Sequence, residues 1–405
     1  MLPLDNVRVV EFCQIAAGPF CGMLLADMGA DVIKVESREG DGLRQWPPHN
    51  EGYSENFASL NRNKRSVVLD LKREEDRQAA RRLVLDADIL IENFRPGVMA
   101  RNGLDYASLS AEKPSLIYCS ISAFGQSGPR AFQGGFDLSI QAMSGIMSVT
   151  GEAGRPPVKC GVPISDFCAG LYAAYSILAV LNQVRRGGRG EHIDVSMLGA
   201  SLGVAALQTS EYFGTRKDPK CMGSAHPRNA PYQAFRASDG YFTLAAGNDR
   251  LWKSLCMEIG CDDLSDDPRF ATVQERAANQ EALRDLLEGV FKGATAAEWI
   301  DRFTARGIPC APLNTYSQVL ADPQVRHMGW VQQIVLPNGA TTQTVTSPVR
   351  LTGKGLGVFR EPPALGAHTE EVISALQGRK AQNKGGQKKA SGRAQIDSLR
   401  ELEGS

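Results

Sequence analysis

The chain has 405 residues, more than one hydrophobic core usually accommodates, so we expect two domains. Its 45 basic and 45 acidic residues balance, which argues against nucleic acid or another polyanion as a partner. No apolar stretch approaches the length needed to span a bilayer, and the N-terminal residues are typical of a strand rather than a signal peptide. We therefore expect a soluble, cytoplasmic protein with no membrane partner.

The first 125 residues alternate strand and helix signals. Helical patterns occur at 20–28 and 74–86, and runs rich in β-branched residues predict strands at 7–12, 31–36, 66–71, 88–92 and 115–122. Such alternation predicts an α/β fold built from parallel βαβ units. In sheets of this kind, ligands bind beyond the carboxyl ends of the strands.

The rest of the chain predicts a second, smaller domain. An apolar helix ends at the Arg- and Gly-rich sequence 185–190, and the composition changes in a loop near 215–230. A strand pair on either side of residues 239–240 and mainly helical sequence to 303 follow. We predict a large domain at 1–225, a small domain at 226–328, a return to the large domain at 329–376 and a disordered tail at 377–405.

One acidic residue, Asp166, lies where a loop containing glycine and proline meets the apolar run 171–180. An aspartate in this position is either a helix N-cap, whose side chain accepts a hydrogen bond from the first turn, or a nucleophile. The segment alone favours the N-cap, because that role needs no other part of the chain. The nine cysteines lack zinc-binding spacings, so no metal is predicted.

The first predicted strand, turn and helix, with Glu36 closing the second strand, have the layout of a dinucleotide-binding unit. The spaced glycines that let a pyrophosphate approach the backbone are absent, because Gly18 and Pro19 stand in their place. A dehydrogenase is therefore disfavoured. Cationic and amide side chains recur at the predicted strand ends instead, among them Arg38 and Asn93, and Phe94 is suited to face an adenine. Each alone is an ordinary loop residue, but their recurrence favours a phosphorylated ligand.

Up to about residue 370 the chain resembles the class III CoA-transferases, also called the CaiB/BaiF or L-carnitine dehydratase family. The resemblance lies in the sequences AGPF at 17–20, GADVIKVE at 29–36, NRNK at 61–64, ENFRPG at 92–97 and FGQSGP at 124–129. It implies a Rossmann-like large domain, a smaller α/β domain and a homodimer of interlocked rings. It also implies that coenzyme A thioesters are substrates, with no permanently bound cofactor, and that CoA contacts lie among Ile15, Arg38, Asn93, Phe94 and Arg101.

By the same resemblance, Asp166 falls on the position of the family's catalytic aspartate. A carboxylate that accepts the acyl group of a thioester divides CoA exchange into easier steps, through an aspartyl anhydride and an aspartyl-CoA thioester. Backbone N–H groups are the natural stabilisers of each tetrahedral oxyanion. The chain would then be an acyl-CoA:carboxylate CoA-transferase.

The loop at 222–232 has fewer glycines than formyl-CoA transferases have, which disfavours formyl or oxalate substrates. It resembles the loop of glutarate- and itaconate-type members, so a C4–C6 dicarboxylate or an isosteric sulfinate is the expected acceptor, with succinyl-CoA as donor. His226 and Arg228 are the candidate ligands of a distal carboxylate, and exposed loop residues are the alternative interpretation.

Two other functions remain open. The α-methylacyl-CoA racemases of this family have a histidine where this chain has Phe136, and phenylalanine transfers no proton, so racemisation of a 2-methylacyl-CoA is the disfavoured alternative. Asp137, the next residue, remains as a second carboxylate near the nucleophile. A CoA-binding regulator in which Asp166 is only a cap is the third interpretation.

Overall fold

The computed structural model describes residues 1–377, and the predicted tail lies outside the described residues from 378 onward. The strands are β1 (Arg8–Phe12), β2 (Asp31–Glu36), β3 (His49–Asn50), β4 (Tyr53–Ser54), β5 (Lys64–Val68), β6 (Ile89–Glu92), β7 (Ile117–Ser122), β8 (His192–Ser196), β9 (Tyr232–Arg236), β10 (Tyr241–Ala245), β11 (Cys310–Pro312), β12 (Val331–Val335), β13 (Thr341–Val345), β14 (Arg350–Leu351) and β15 (Lys354–Gly355).

The helices are α1 (Ala17–Asp27), α2 (Glu55–Asn61), α3 (Glu74–Leu85), α4 (Val98–Arg101), α5 (Tyr106–Glu112), α6 (Asp137–Met143), α7 (Ile146–Val149), α8 (Ile164–Arg185), α9 (Met197–Val204), α10 (Ala206–Thr215), α11 (Asp249–Glu258), α12 (Val273–Ala278), α13 (Gln280–Phe291), α14 (Ala296–Ala305), α15 (Tyr316–Leu320) and α16 (Pro323–Met328). Short 3-10 helices lie at Gly42–Gln45 and Asp262–Ser265, and residues 369–377 are also helical.

Six strands form one sheet in the order β5-β2-β1-β6-β7-β8, and every neighbouring pair is parallel. The α/β prediction with a parallel sheet is confirmed. The connections change direction between β1 and β6, because the chain builds β2 and β5 on one side of β1 and then continues with β6, β7 and β8 on the other. A reversal of this kind opens a crevice at the carboxyl ends of the strands, where ligands bind.

Both faces of this sheet are buried. On one face Val9, Val32 and Ile89 share a core with side chains of α1 and α8. On the other face Val10 and Ile33 pack with side chains of α3. Burial on both faces explains why β6 is a nearly continuous apolar run rather than an alternating one.

The chain divides into two compact units. Of the described residues, unit 1 comprises Met1–Ser144, Gly161–Ala206 and 328–377, and unit 2 comprises Gly145–Cys160 and Leu207–His327. Unit 2 thus begins earlier than the predicted boundary at 225/226 and includes a segment that sequence reasoning left in the large domain. A reason is visible in the backbone, because Gly223 N–H donates to the carbonyl of Gly151 at 2.8 Å.

Unit 2 contains the antiparallel sheet β11-β10-β9. Its core is aromatic: Phe291 contacts Phe235, Phe242, Trp299 and Phe303 with ring centroids 5.2–5.8 Å apart. The predicted strand pair and the helical sequence after it are both present. This core gives unit 2 its own buried interior.

Helix α8 overturns one expectation from the sequence. Its 22 residues include a window of mean hydropathy 1.6, so by length and composition alone it is able to cross a membrane. The core helix of a folded domain passes the same test, and here Ala169, Ala173 and Ile177 are fully buried in unit 1. The expectation missed this helix because it took only 171–180 as the apolar run, whereas residues 167–184 include no charged side chain.

Candidate active site

Asp166 is the third residue of α8 and does not cap that helix, so the interpretation favoured by the segment alone is wrong. The N-cap position is Pro163, which has no side-chain hydrogen bond. The free N–H of Ser165 is satisfied by Asp137 instead, whose Oδ1 accepts it at 2.9 Å. Gln141 donates to the other oxygen of Asp137 at 2.7 Å. Asp137 therefore performs the capping role from α6, and the Asp166 carboxylate is left for another purpose.

Asp166 lies beside α1 because α8 approaches that helix unusually closely. Gly170 follows one turn after Asp166 on the same face of α8, and a Cβ atom there would lie 2.9 Å from the carbonyl oxygen of Ala17. The rings of Phe20 and Phe167 are 4.6 Å apart at the same contact. The missing side chain at Gly170 thus lets the two backbones meet and brings Asp166 to the N-terminus of α1.

The backbone N–H of Ala17 lies close enough to the Asp166 carboxylate to lower its pKa. Burial and, to a lesser extent, the nearby charge of Asp137 raise the pKa of Asp166 to about 7, although the Ala17 N–H opposes both. A carboxylate in this state is a stronger base and nucleophile than an ordinary aspartate, yet it is ionised in a substantial fraction of molecules near neutral pH.

The turn between β1 and α1 lies at the reversal point of the sheet. Gln14 is held there through both of its backbone groups, because its N–H donates to Asn93 Oδ1 at 2.9 Å and its carbonyl accepts from Asn93 Nδ2 at 2.8 Å. Gly18 is required by close packing, since a Cβ atom there would lie 2.5 Å from Cys13 Sγ. The turn that carries Ala17 is therefore joined to the end of β6.

A cavity of about 300 Å³ opens beside this turn at the carboxyl ends of β1, β2, β5 and β6. Its lining includes aromatic, cationic and backbone groups: Phe12, Cys13, Gln14, Val35, Glu36, Ser37, Arg38, Glu39, Asp41, Leu69, Asp70, Leu71, Lys72, Phe94 and Asn102. Two predicted residues, Arg38 and Phe94, are among them. Lys72 is a cation that the sequence analysis did not select. Lys72 directly follows the predicted strand 66–71, and this position could have identified it as a candidate ligand.

The other predicted CoA ligands lie near the cavity in sequence but are not part of its described lining. Ile15 occupies the β1–α1 turn, and Asn93 is engaged by Gln14. Arg101 is exposed at the last residue of α4, next to the lining residue Asn102. Their roles in binding stay predictions.

His226 and Arg228 lie in unit 2 and already have partners. The Nδ1 atom of His226 accepts the backbone N–H groups of Arg228 and Asn229, each at 3.1 Å, which leaves Nε2 as the donor of a neutral ring. Burial and the charge of Arg228 lower the pKa of this histidine. Arg228 pairs with Glu211 at 2.7 Å. Among residues 1–377, no group of three or more potential ligands is placed to hold a metal ion.

Comparison with known proteins identifies the family. The model of CoA-transferase family III matches residues 4–369. The chain belongs to this family. A succinate–glutarate CoA-transferase of Agrobacterium fabrum is 39% identical over 93% of this chain and 96% of its own length. An acetyl-CoA:oxalate CoA-transferase of Acetobacter aceti is 38% identical over 87% of this chain and 90% of its own length.

A solved structure gives the same assignment. A CaiB/BaiF family protein from Brucella suis superposes with a TM-score of 0.82 and is 43% identical, over 93% of this chain and 99% of the other. Family membership and the predicted resemblance therefore agree. In this CoA-transferase family III chain, Ala17 is a second residue that the sequence did not indicate, and its backbone N–H lies beside Asp166. A backbone donor leaves no signature in side-chain chemistry, so only the approach of α1 and α8 reveals it.

Proposed function

We propose that this protein is an acyl-CoA:carboxylate CoA-transferase in which Asp166 is the covalent nucleophile. The observation that carries the proposal is the Asp166 carboxylate, which lies beside the N-terminus of α1 and has its pKa raised to about 7. The same β1–α1 turn contributes Cys13 and Gln14 to the cavity. An acyl-CoA whose nucleotide occupied that cavity would have its acyl end near the turn.

The reaction follows from these groups. An Asp166 oxygen attacks the thioester carbonyl, the C–S bond breaks, and CoA leaves as its thiolate from an aspartyl anhydride. The thiolate then attacks the aspartyl carbonyl, forms an aspartyl-CoA thioester and releases the donor acid. The acceptor carboxylate attacks this thioester, giving a second anhydride and free thiolate. Attack of the thiolate on the acceptor's carbonyl yields the new acyl-CoA and restores Asp166.

The Ala17 N–H has a specific part in this sequence. When the thiolate attacks the aspartyl carbonyl, negative charge develops on an oxygen of Asp166 itself. A backbone N–H already directed at that carboxylate stabilises this oxyanion without reorganisation. Asp137 holds the start of α8 in place and, through its charge, keeps Asp166 basic.

A dicarboxylate acceptor with succinyl-CoA as donor is the substrate pair we propose. Relatives named for glutarate, mesaconate and D-citramalate support this pair. Because another relative is named for oxalate, the acceptors to be tested include this smaller acid. His226 Nε2 and Arg228 are the proposed ligands of the distal carboxylate, with Arg228 leaving Glu211 to bind it. A cytoplasmic location stays a prediction.

We also propose that unit 1 is Rossmann-like and that two chains form the interlocked homodimer. The strand order β5-β2-β1-β6-β7-β8 supports the first, because it matches the order of doubly wound nucleotide-binding sheets. Apolar side chains exposed on α6 and α8, including Phe136, Leu171 and Tyr175, support the second.

The test measures CoA exchange with a panel of CoA esters and C2–C6 dicarboxylates, resolving the products by mass. Asp166→Asn is expected to lower kcat at least about 1,000-fold, because no nucleophile remains. Hydroxylamine or borohydride is expected to modify the wild-type peptide that contains Asp166 only when donor is present. Asp301→Asn, which changes an exposed aspartate on α14, is the matched control and should retain full activity.

Exchange at the wild-type rate by the Asp166→Asn protein would refute the proposal. Solvent deuterium at the α-carbon of a 2-methylacyl-CoA, without any acceptor acid, would point to racemisation instead. The position of Phe136 argues against that result, because no imidazole stands beside Asp137 in the chain. If the protein binds CoA esters but turns over none of them, the remaining interpretation is a CoA-binding regulator without enzymatic activity.

A further inference from the structure

The β1–α1 turn contains a backbone conformation that needs external support. Ile15 has φ of 67°, a left-handed value that β-branched residues adopt only when their surroundings impose it. Its N–H donates to Asp41 Oδ1 at 2.9 Å. The same oxygen accepts the N–H of Leu43 at 3.0 Å, so Asp41 is itself fixed by the 3-10 helix that begins at Gly42. The conformation of Ile15 therefore depends on a side chain 26 residues away.

A buried lysine holds Asp41 and the turn together. Lys34 Nζ lies 2.8 Å from Asp41 Oδ2 and donates to the carbonyl of Cys13 at 2.7 Å. Both charged side chains are fully buried. Lys34 thus fixes the start of the turn directly at Cys13 and its middle through Asp41 at Ile15. Burial lowers the pKa of Lys34, but Asp41 and Glu11 raise it more, so this lysine stays charged.

A second buried lysine holds the first turn of α1, which directly follows the β1–α1 turn. Lys64 Nζ donates to the carbonyl of Pro19 at 2.8 Å and contacts Glu11 Oε1 at 2.9 Å. Glu11 also lies 3.3 Å from Lys34 Nζ, so the two lysines share one carboxylate beneath the turn. Burying several charges is a costly way to stabilise a fold, since apolar residues of similar volume usually do as well. What this cluster supplies instead is a defined position for the carbonyl and N–H groups on either side of Ala17.

We propose that Lys34 and Asp41 are positioning residues that hold the turn from Cys13 to Ala17 so that the Ala17 N–H stays directed at the Asp166 carboxylate. The inference rests on the proposed nucleophilic role of Asp166. Neither residue meets the reacting atoms; each acts through the backbone. If the turn relaxes, the hydrogen bond to Asp166 lengthens, the carboxylate becomes harder to ionise, and the oxyanion on Asp166 loses its donor.

The pH dependence of activity reports this hydrogen bond, because few groups act on Asp166. Helix α8 packs against α1, α6, α9, β7 and β8. In the described chain, the titratable side chains of these five elements are Cys21, Asp27, Asp137, Tyr118, Cys119, His192 and Asp194. Of these, only Asp137 shifts the pKa of Asp166, and the Ala17 N–H is the other nearby group that does so.

The experiment measures kcat and the acidic limb of the pH profile for succinyl-CoA and glutarate with the full-length protein. Asp41→Ala removes the acceptor of the Ile15 N–H and is expected to lower kcat about 10- to 100-fold and to move the limb at least about 0.5 unit to higher pH. Asp41→Asn keeps an acceptor oxygen but loses the ion pair, so smaller changes in the same direction are expected, about 3- to 10-fold in kcat.

Asp27→Ala is the matched control. Asp27 is also a buried aspartate paired with a cation, Arg62 at 2.7 Å, but it lies at the opposite end of α1. Its loss should lower thermal stability while kcat stays within about twofold and the limb does not move. If Asp41→Ala behaves like Asp27→Ala, the positioning role is refuted. If Asp41→Ala does not fold, an unchanged kcat and limb in Asp41→Asn refutes it.

The two proposals fail differently. If the Asp166→Asn protein exchanges CoA at the wild-type rate, Asp166 is not the nucleophile, and this inference is refuted as well. An inactive Asp166→Asn protein together with an Asp41→Ala protein of normal kcat and normal pH limb removes only the inference.

Discussion

At the residue scale, Asp166 combines two opposing requirements. Burial and the charge of Asp137 make its ionisation difficult, yet only the ionised form attacks a thioester. Its pKa of about 7 lies above the value of an aspartate in an unfolded chain, so the folded protein binds this proton more tightly. Stability therefore decreases as pH rises from about 4 to about 7, which is the cost of keeping a basic carboxylate in the site.

Asp137 offers a direct test of this balance. Asp137→Asn keeps an oxygen that accepts the Ser165 N–H but removes the charge that raises the pKa of Asp166. Activity requires ionised Asp166 and increases with pH through its pKa, so the acidic limb of kcat/KM should move about 0.5–1 unit to lower pH. The pH profile with succinyl-CoA and glutarate measures this shift.

Asp105→Asn is the control, because Asp105 caps α5 by accepting the Ser108 N–H at 3.0 Å and lies on no element packed against α8. It should leave the limb where it is. A limb that stays in place in Asp137→Asn, or moves to higher pH, would contradict the electrostatic role of Asp137.

At the scale of elements, the contact between α1 and α8 positions the nucleophile. Gly170→Ala would place a methyl group 2.9 Å from the Ala17 carbonyl and from a ring carbon of Phe20, so the helices must separate. We expect a loss of about 1–3 kcal/mol in stability and, because Asp166 moves away from the Ala17 N–H, a kcat about 10- to 100-fold lower. Urea unfolding and initial rates measure the two effects.

Gly289→Ala provides the comparison for this substitution. Gly289 lies inside α13, is exposed, and an added Cβ atom would meet nothing within 4 Å. Alanine there should raise stability by about 0.5–1 kcal/mol and leave kcat unchanged, since glycine is the poorer helix former. Equal effects of the two substitutions would show that the α1–α8 contact has no special importance.

The elements also show what the sequence was able to predict. The bounds of β2 agree with the structure at both ends, and those of α3 differ by one residue, because local sequence signals determine them. Capping of α8 by Asp137 and support of Ile15 by Asp41 join residues 28 and 26 positions apart, and no local pattern reports such pairs. The family resemblance identified Asp166 as a candidate nucleophile. The environment of its carboxylate could not be predicted, because it depends on the packing of α8 against α1.

At the scale of the whole molecule, the exposed apolar side chains of unit 1 need an explanation. Leu171, Tyr175 and Leu178 lie on the outer face of α8, and Tyr175 is 60% exposed. Phe136 and Leu138 are exposed at the start of α6, which packs against α8. The same outer face gives α8 the composition of a membrane helix. A second copy of the chain that covers this surface would remove it from water. Burial of this apolar surface is the reason for proposing a homodimer.

The oligomeric state of the protein tests whether a second copy covers this surface. Light scattering coupled to size-exclusion chromatography should give twice the mass of one chain at micromolar concentration without detergent. Tyr175→Glu would place a charge in a covered apolar surface. The dissociation constant of the dimer should therefore rise at least about tenfold. Leu286→Glu, at an exposed leucine of α13 in unit 2, is the control and should remain dimeric. A wild-type protein that runs as a monomer would refute the homodimer, whereas a protein recovered only in detergent would assign the outer face of α8 to a lipid surface.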